Sequence, residues 1–588
     1  MLEYKLNIDY GTLSITISNP EKKAEYAVYI LVNGKKNKIF GYSSYTKYNV
    51  DISSLRYEKL EVMLFKKMID ESEIEVKRVK VFYPYHKTLD LRSLKAKFSY
   101  VVYSVPGVDI FNNIFTLGMN KVSLKHPVKY DCKDRNMSMS LNGWRFLSSY
   151  WTIILDTGSI QSIQYIVEYI IDWYKNAIRN NTYRWYDMSV GLRSIHLSLI
   201  IEIYKLDKNI LSIDQIYYIY RIINEHFDEL MDPNKLANGN HGIWQLIGLG
   251  FLSKSLNLNK KLMYAESNLI SQIKSMFDDN GINLENSPSY FQYNLDLIGR
   301  IQRQDVFINI SQDIEKIIEQ ARRKLYWFVT PDGSYVRIGD TEGKPNFKLI
   351  HDTEDYKYKI DNDFLIIKDL YSSGYQIIKS KNMYFVFIVP HSFSHMHCHA
   401  LSFVFFYKNI ELFADPGKLR YDYSTDRAWL LSDASHNTLG LSSKNMSPKD
   451  IDYKDSEILP LKFEDAVLSL SGINKNEFFT HDRIIDYDFK CGTVNIKDVV
   501  NNNTQDNLQL RFLLGDGVSV RFVKGYIELI CKQSDSILAK LIPDESSIKV
   551  KIKEAFISKK YNSKLRTSQI IMEYSNLNTV INTKILLQ

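Results

Sequence analysis

The stretch Ser394-His395-Met396-His397-Cys398-His399-Ala400-Leu401-Ser402-Phe403-Val404-Phe405-Phe406 runs from a histidine cluster straight into an apolar segment. A short, nearly continuous apolar run rich in aromatic side chains predicts a strand covered on both faces. A second such run, Met383-Tyr384-Phe385-Val386-Phe387-Ile388-Val389, lies just upstream. Two buried strands flanking the histidines predict two packed sheets. Four of the chain's 12 histidines fall within 391–399. Histidine holds zinc or moves protons near neutral pH, so chemistry is expected here.

Downstream, strands persist to the C-terminus: Val494-Asn495-Ile496, Leu508-Gln509-Leu510-Arg511-Phe512 and Val518-Ser519-Val520-Arg521-Phe522, with turns at Gly515-Asp516-Gly517 and Lys524-Gly525. Upstream, from about 135 to 330, the period becomes helical. Ile163, Ile166, Val167, Ile170, Ile171 and Tyr174 give one apolar face near 159–180. Further helices are predicted at 187–205, 213–230, 242–256, 259–277, 289–303 and 311–328. Consecutive helices on short loops predict helix pairs, in a bundle or a toroid, and periodicity does not choose between them. Residues 1 to about 95 read as short strands, with an Asn33-Gly34 hairpin turn after Tyr26-Ala27-Val28-Tyr29-Ile30-Leu31-Val32. The expected division is a small β-sandwich over 1–95, a helical domain over 96–335 and a large antiparallel β-sandwich over 336–588.

A chain of 588 residues is too long for one core. Its formal net charge of +7 is mild for this length. It suits an acidic polymer as partner, but no segment reads as a nucleic-acid arm or polybasic tail. The four cysteines are widely spaced without a CxxC pair, so free, buried thiols are expected. The first residues lack the charged-then-apolar order of a secretion signal, and no apolar stretch is long enough to span a bilayer. A cytoplasmic location is therefore expected, the alternative being an exported form whose leader is not in this sequence. There is no phosphate-cradling loop, GxGxxG after a strand, GxSxG elbow or HExxH helix. No pairing of carboxylates argues for a glycosidase.

Several groups of residues are suited to chemistry. His395 and His397 project to one face if strand-like backbone extends back to them. Asp415 follows at a distance that fits one strand, a turn and a returning strand, and His436 completes a His-Asp-His set. Such nitrogen and oxygen donors suit zinc; histidines satisfied in a polar cleft are the other reading. Asn240 and His241, in Asn238-Gly239-Asn240-His241-Gly242, sit where a loop enters a helix, so that N–H groups and both side chains face one pocket. An Asn-capped helix explains the same residues. Glu285, Tyr290 and Tyr293 gather around the helix start Ser287-Pro288. Gly339-Asp340 reads as turn chemistry.

In order along the chain, Asn240-His241, Glu285-Asn286-Ser287-Pro288-Ser289-Tyr290, Gly339-Asp340, His395-x-His397-x-His399-x-Leu401-Ser402, Asp415-Pro416-Gly417 and His436-Asn437-Thr438 resemble the motifs of the heparinase II/III-like polysaccharide lyases. The resemblance covers roughly 135–530. It implies a multidomain α+β fold with an (α/α) toroid followed by a large antiparallel β-sandwich. It also implies an acidic, uronic-acid-containing polysaccharide or oligosaccharide as substrate, and a structural Zn2+ on His397, Asp415 and His436. Two positions depart from the pattern. His399 stands where the family has Asp, which is expected to loosen the outer shell of the metal or to alter the choice of metal. Phe291 stands where His often follows the tyrosine, with an expected effect on substrate contacts.

β-Elimination removes the weakly acidic C5 proton of a uronate, so the carboxylate must be neutralised and the enolate-like charge stabilised. Asn240, helped by His241, fits that task. Tyr290 and His395 form the acid–base pair, with Tyr290 the favoured acid and a possible base on the same face; which does which depends on the stereochemistry of the uronic acid. Arg193, Trp144, Trp185, Glu285 and Arg427 are expected to contact substrate; for Arg193 a buried structural pair with an Asp is the alternative, and for the tryptophans a core role. Two other functions use the same residues differently. A uronate C5-epimerase would return the proton to the opposite face. A non-catalytic glycan-binding protein of surface-polysaccharide assembly would keep the scaffold without turnover.

Overall fold

A computed structural model describes every residue except 1, 10–11, 33, 53–59, 70–72, 82–88, 111, 118–119, 133, 178–182, 308–310, 347–355, 361–362 and 576–577. The chain forms two compact units, one of residues 1–272 with 300–310, the other of 273–299 with 311–588.

The first unit begins with two antiparallel sheets. One orders Glu3–Asp9, Thr12–Ser18 and Lys47–Asp51; the other orders Lys35–Ser43, Ala24–Val32, Leu60–Met68 and Ile74–Val81. Side chains alternate along Thr12–Ser18, sending Leu13, Ile15 and Ile17 into a core shared with Val28, Ile30, Val62 and Leu64. This is the small β-sandwich the sequence predicts. Val32 pairs with Lys35 across the expected hairpin and Gly34 has a φ of 79°, while Asn33 of that turn lies outside the described residues.

Helices follow. Ile160–Asn176 starts at Ser159, whose hydroxyl accepts from the Ser162 N–H, and it buries Ile163, Ile166, Val167 and Ile170. Ser212 and Gln215 form a reciprocal cap at the start of Ile213–Leu230. Asp187–Leu206 and Gly239–Ser255 cross at Gly191 and Gly248. A Cβ on Gly191 would lie 2.1 Å from the Trp244 carbonyl oxygen, and one on Gly248 would lie 2.3 Å from that of Gly191. The two backbones touch there because neither glycine carries a side chain. The sequence predicts most of these helices, but Arg135–Asn142, Leu147–Thr157 and the short Arg92–Phe98 were not expected.

In the second unit, six strands from Tyr356–Ile360 to Ile410–Phe413 form an antiparallel meander, and Ser456–Glu464 through Thr579–Leu587 contribute to an eight-stranded sheet. Phe385, Phe387, Phe403 and Phe405 of the meander share one apolar core with Leu470, Ile485, Ile496 and Leu529 of the larger sheet. The turn Lys408-Asn409, with φ of 51° and 62°, returns the chain from Ser402–Tyr407 to Ile410–Phe413, and Asp415 follows as expected.

The strand begins only at Ser402, so the expectation that His395 and His397 share a strand face is corrected. The segment before it is irregular, and His395 has a φ of 53°. All four cysteines are free, but Cys491 is exposed and Cys132 half-buried, against the expectation that all are buried. Among the described residues no helix is long and apolar enough to cross a membrane.

Candidate active site

Within the second unit, the helix Pro288–Gln302 carries Tyr290 in its first turn. The imidazole of His395 stacks on its ring with centroids 3.6 Å apart. Asn286 sets this contact. Fully buried, its side-chain amide donates to the carbonyl oxygens of Ser392 and Ser394, and its own oxygen accepts from the His391 N–H at 3.0 Å. One side chain thereby ties the 391–395 segment to the residues that open the Tyr290 helix.

Asp340 sits beneath the pair. Its carboxylate accepts from His395 Nδ1 at 3.0 Å and from His397 Nε2 at 3.1 Å, and forms an ion pair with Arg427 at 2.6 Å. Burial alone would raise the pKa of Asp340. The hydrogen bonds from the two histidines and the charge of Arg427 outweigh it and hold the carboxyl well below the usual range. An ionised Asp340 assigns both tautomers: it takes the Nδ1–H of His395 and the Nε2–H of His397, leaving the opposite nitrogen of each ring free to accept. Gly339 makes room for this carboxylate. Its φ is 54°, and a Cβ there would lie 2.4 Å from the Asn286 carbonyl oxygen and 2.8 Å from that of His395.

The Tyr290 hydroxyl is 2.7 Å from that of Tyr421, which lies 3.4 Å from His395 Nδ1. Burial raises the pKa of both phenols, so Tyr290 is held as a proton donor. Glu285 Oε2 lies 3.5 Å from His395 Nε2. The Lys418 ammonium, paired with Glu342, is 5.6 Å from the centre of the Tyr290 ring.

Arg427 was expected to contact substrate. It is buried instead, on the short helix Thr425–Leu431, where it holds Asp340 and donates to the Lys418 carbonyl. Phe291 packs between Phe277 and Phe328 in the core, so its departure from the motif is a packing feature. Asn286, Asp340, Lys418 and Tyr421 were not assigned site roles from the sequence. Asn286 and Asp340 lay inside quoted motifs, but Lys418 and Tyr421 carried no local signal among so many lysines and tyrosines.

Behind Asp340, His397, His399 and His436 are fully buried, with one ring nitrogen from each lying within 4.8 Å of the others. Asp415 Oδ2 is 3.4 Å from His436 Nε2. The far atoms are anchored: His436 Nδ1 donates to the Ser432 carbonyl at 2.8 Å, and Asp415 Oδ1 accepts from the Gly417 N–H at 3.1 Å. The near atoms, His397 Nδ1, His436 Nε2 and Asp415 Oδ2, have no hydrogen-bond partner among the described residues. Burial lowers the pKa of all three imidazoles and raises that of Asp415 well above the usual carboxylate range. Neutral imidazoles with an unsatisfied carboxylate oxygen beside them fit a divalent cation.

In the first unit, Asn240 and His241 occupy the first turn of Gly239–Ser255, both half-buried. Asn238 is the N-cap but makes no side-chain cap bond, so capping does not explain this cluster. His241 Nδ1 is 2.9 Å from Asp187 Oδ1, a consequence of the close helix crossing at Gly191. Arg193 and Trp144, expected to meet substrate, are buried. Arg193 donates to His226 Nε2 and to the Asn142 carbonyl, with its guanidinium 4.3 Å from the Trp173 ring centre and 5.3 Å from that of Trp185. The guanidinium is thus housed among indoles and a histidine, not by the Asp of the alternative reading. Trp185 is half-buried.

This pairing of a helical region with a large antiparallel sandwich defines the toroid-plus-sandwich class of protein. Residues 366–584 match the heparinase II/III-like C-terminal domain family, as the motifs led one to expect. Heparinase III is similar in fold at 13% identity, covering 85% of each chain with a TM-score of 0.62. A heparan sulfate lyase from Pedobacter heparinus is similar at 16% identity, covering 85% of this chain and 83% of its own, with a TM-score of 0.53. No curated protein matches the sequence.

Proposed function

We propose that this chain is a polysaccharide lyase that cleaves a uronic-acid-containing acidic polysaccharide by β-elimination. The observation that supports it most is the stacked Tyr290–His395 pair, with Asp340 directing one imidazole N–H and leaving His395 Nε2 able to accept a proton. In the reaction, His395 takes the C5 proton, the C5–H electrons form the C4–C5 double bond, and the C4–O bond breaks. Tyr290, kept protonated by burial, gives its proton to the departing oxygen. Both groups then regain their starting states by exchange with water. Neutralising the uronate carboxylate, so that charge can spread into it as C5 loses its proton, is the role the resembled motifs give Asn240 and His241.

A structural Zn2+ belongs to the same proposal, with His397, Asp415 and His436 as its ligands. Bound there, the ion cross-links the chain around Asp340 and takes no part in bond breaking.

The test is a panel of uronic-acid polysaccharides incubated with purified protein. A lyase generates an unsaturated uronate seen as new ultraviolet absorbance. Solvent deuterium entering C5 without cleavage would assign a C5-epimerase instead, and tight binding with no turnover a glycan-binding protein; either would overturn the proposal.

A further inference from the structure

We propose that His399 is itself a metal ligand, so that the site is closed by three imidazoles and one carboxylate, all from the protein. The inference rests on the zinc reading above and goes beyond it, because His399 stands where the resembled motif has an Asp outside the ligand set.

His399 is fully buried, and neither of its ring nitrogens has a hydrogen-bond partner among the described residues. Leaving a buried polar group unsatisfied is destabilising. His397 and His436 each spend one nitrogen on an anchoring bond and leave the other free, whereas His399 spends neither. Its ring centre is 5.6 Å from that of His436 and 6.1 Å from that of His397, and its ligand atom falls within the same 4.8 Å grouping. Asp415 Oδ2 adjoins through His436 and is likewise unsatisfied. A cation among the three imidazoles engages one buried nitrogen of each, with Asp415 Oδ2, beside His436, as the fourth donor of the proposal.

The chemistry of the set defines the ion. Three imidazoles and one carboxylate suit Zn2+ and disfavour Ca2+ or Mg2+, which take oxygen donors. Four protein donors also fill a tetrahedral shell and leave no position for water or sugar, the mark of a structural site.

X-ray absorption at the zinc edge of the zinc-loaded wild-type protein counts imidazoles directly, without a variant that must fold. The expected result is one zinc per chain with three imidazoles and one oxygen donor. Alongside it, H399Q and H399A, checked for native circular dichroism, are expected to bind zinc at least about tenfold more weakly and to change the visible spectrum of the Co2+-substituted protein. Bound zinc with two imidazoles, or an unchanged spectrum and affinity in both folded variants, overturns the role of His399 while leaving the metal site standing. Failure to take up stoichiometric zinc overturns both.

Discussion

The imidazole of His395 lies face to face with the phenol ring of Tyr290, centroids 3.6 Å apart and planes 23° from parallel. This contact puts an acceptor nitrogen and a donor hydroxyl side by side, as removal of one proton and delivery of another require. Y290F and H395A should each lower kcat by roughly 10²- to 10⁴-fold, the range for loss of a general acid or base. Initial rates of ultraviolet product formation measure this. Y421F, which removes only a neighbour of the Tyr290 hydroxyl, should cost less.

Asp340 joins the two halves of the second unit's chemistry, since one carboxylate orients both His395 and His397. D340N should lower turnover and weaken retention of the proposed zinc together. It also leaves Arg427 without its buried counter-charge, a loss of about 3–5 kcal/mol. Urea unfolding, activity and metal content of the same preparation test all three effects.

Gly339 is fixed by backbone geometry. A Cβ there meets two carbonyl oxygens at 2.4 and 2.8 Å, with φ at 54°. G339A should therefore destabilise the protein by about 1–3 kcal/mol, measurable as a lowered Tm. Alanine at Gly34, whose surroundings are open, meets no such clash and should cost less.

Away from the site, Asp498 is buried against Arg483 and His481. Burial alone would raise its pKa; the charge of Arg483 and the hydrogen bond from His481 prevail and lower it to about 2. A carboxyl depressed on folding adds stability above its unfolded pKa, near 3.9, and loses it as pH falls through the folded value. The contribution, on the order of 2 kcal/mol, should be present at pH 5 and decline between about pH 4 and pH 2. Urea midpoints across that interval should fall more steeply for wild type than for D498N.

How much could be read from the sequence differs by element. Ile163, Ile166, Val167 and Ile170 repeat at helical spacing and pack as expected, because periodicity is a local signal. The sheet core is legible for the same reason in Phe385, Phe387, Phe403 and Phe405. His395 is another matter: its position depends on Asn286, about a hundred residues earlier, and on a left-handed backbone that no pattern predicts. Arg193 and Arg427 look like ligands for an acidic sugar in sequence, since charge is visible there and burial is not. Only the fold shows that one is boxed by indoles and the other is spent on Asp340.

What everything else depends on is that Tyr290 and His395 act on a single sugar acid. Ultraviolet-monitored turnover of H395A, Y290F and the double variant on the best uronan tests it most directly. The account predicts a severe loss in each single variant and a double variant little worse than the weaker one, because groups serving one transition state are not additive. Wild-type rates in H395A, or full activity in Y290F, would contradict it.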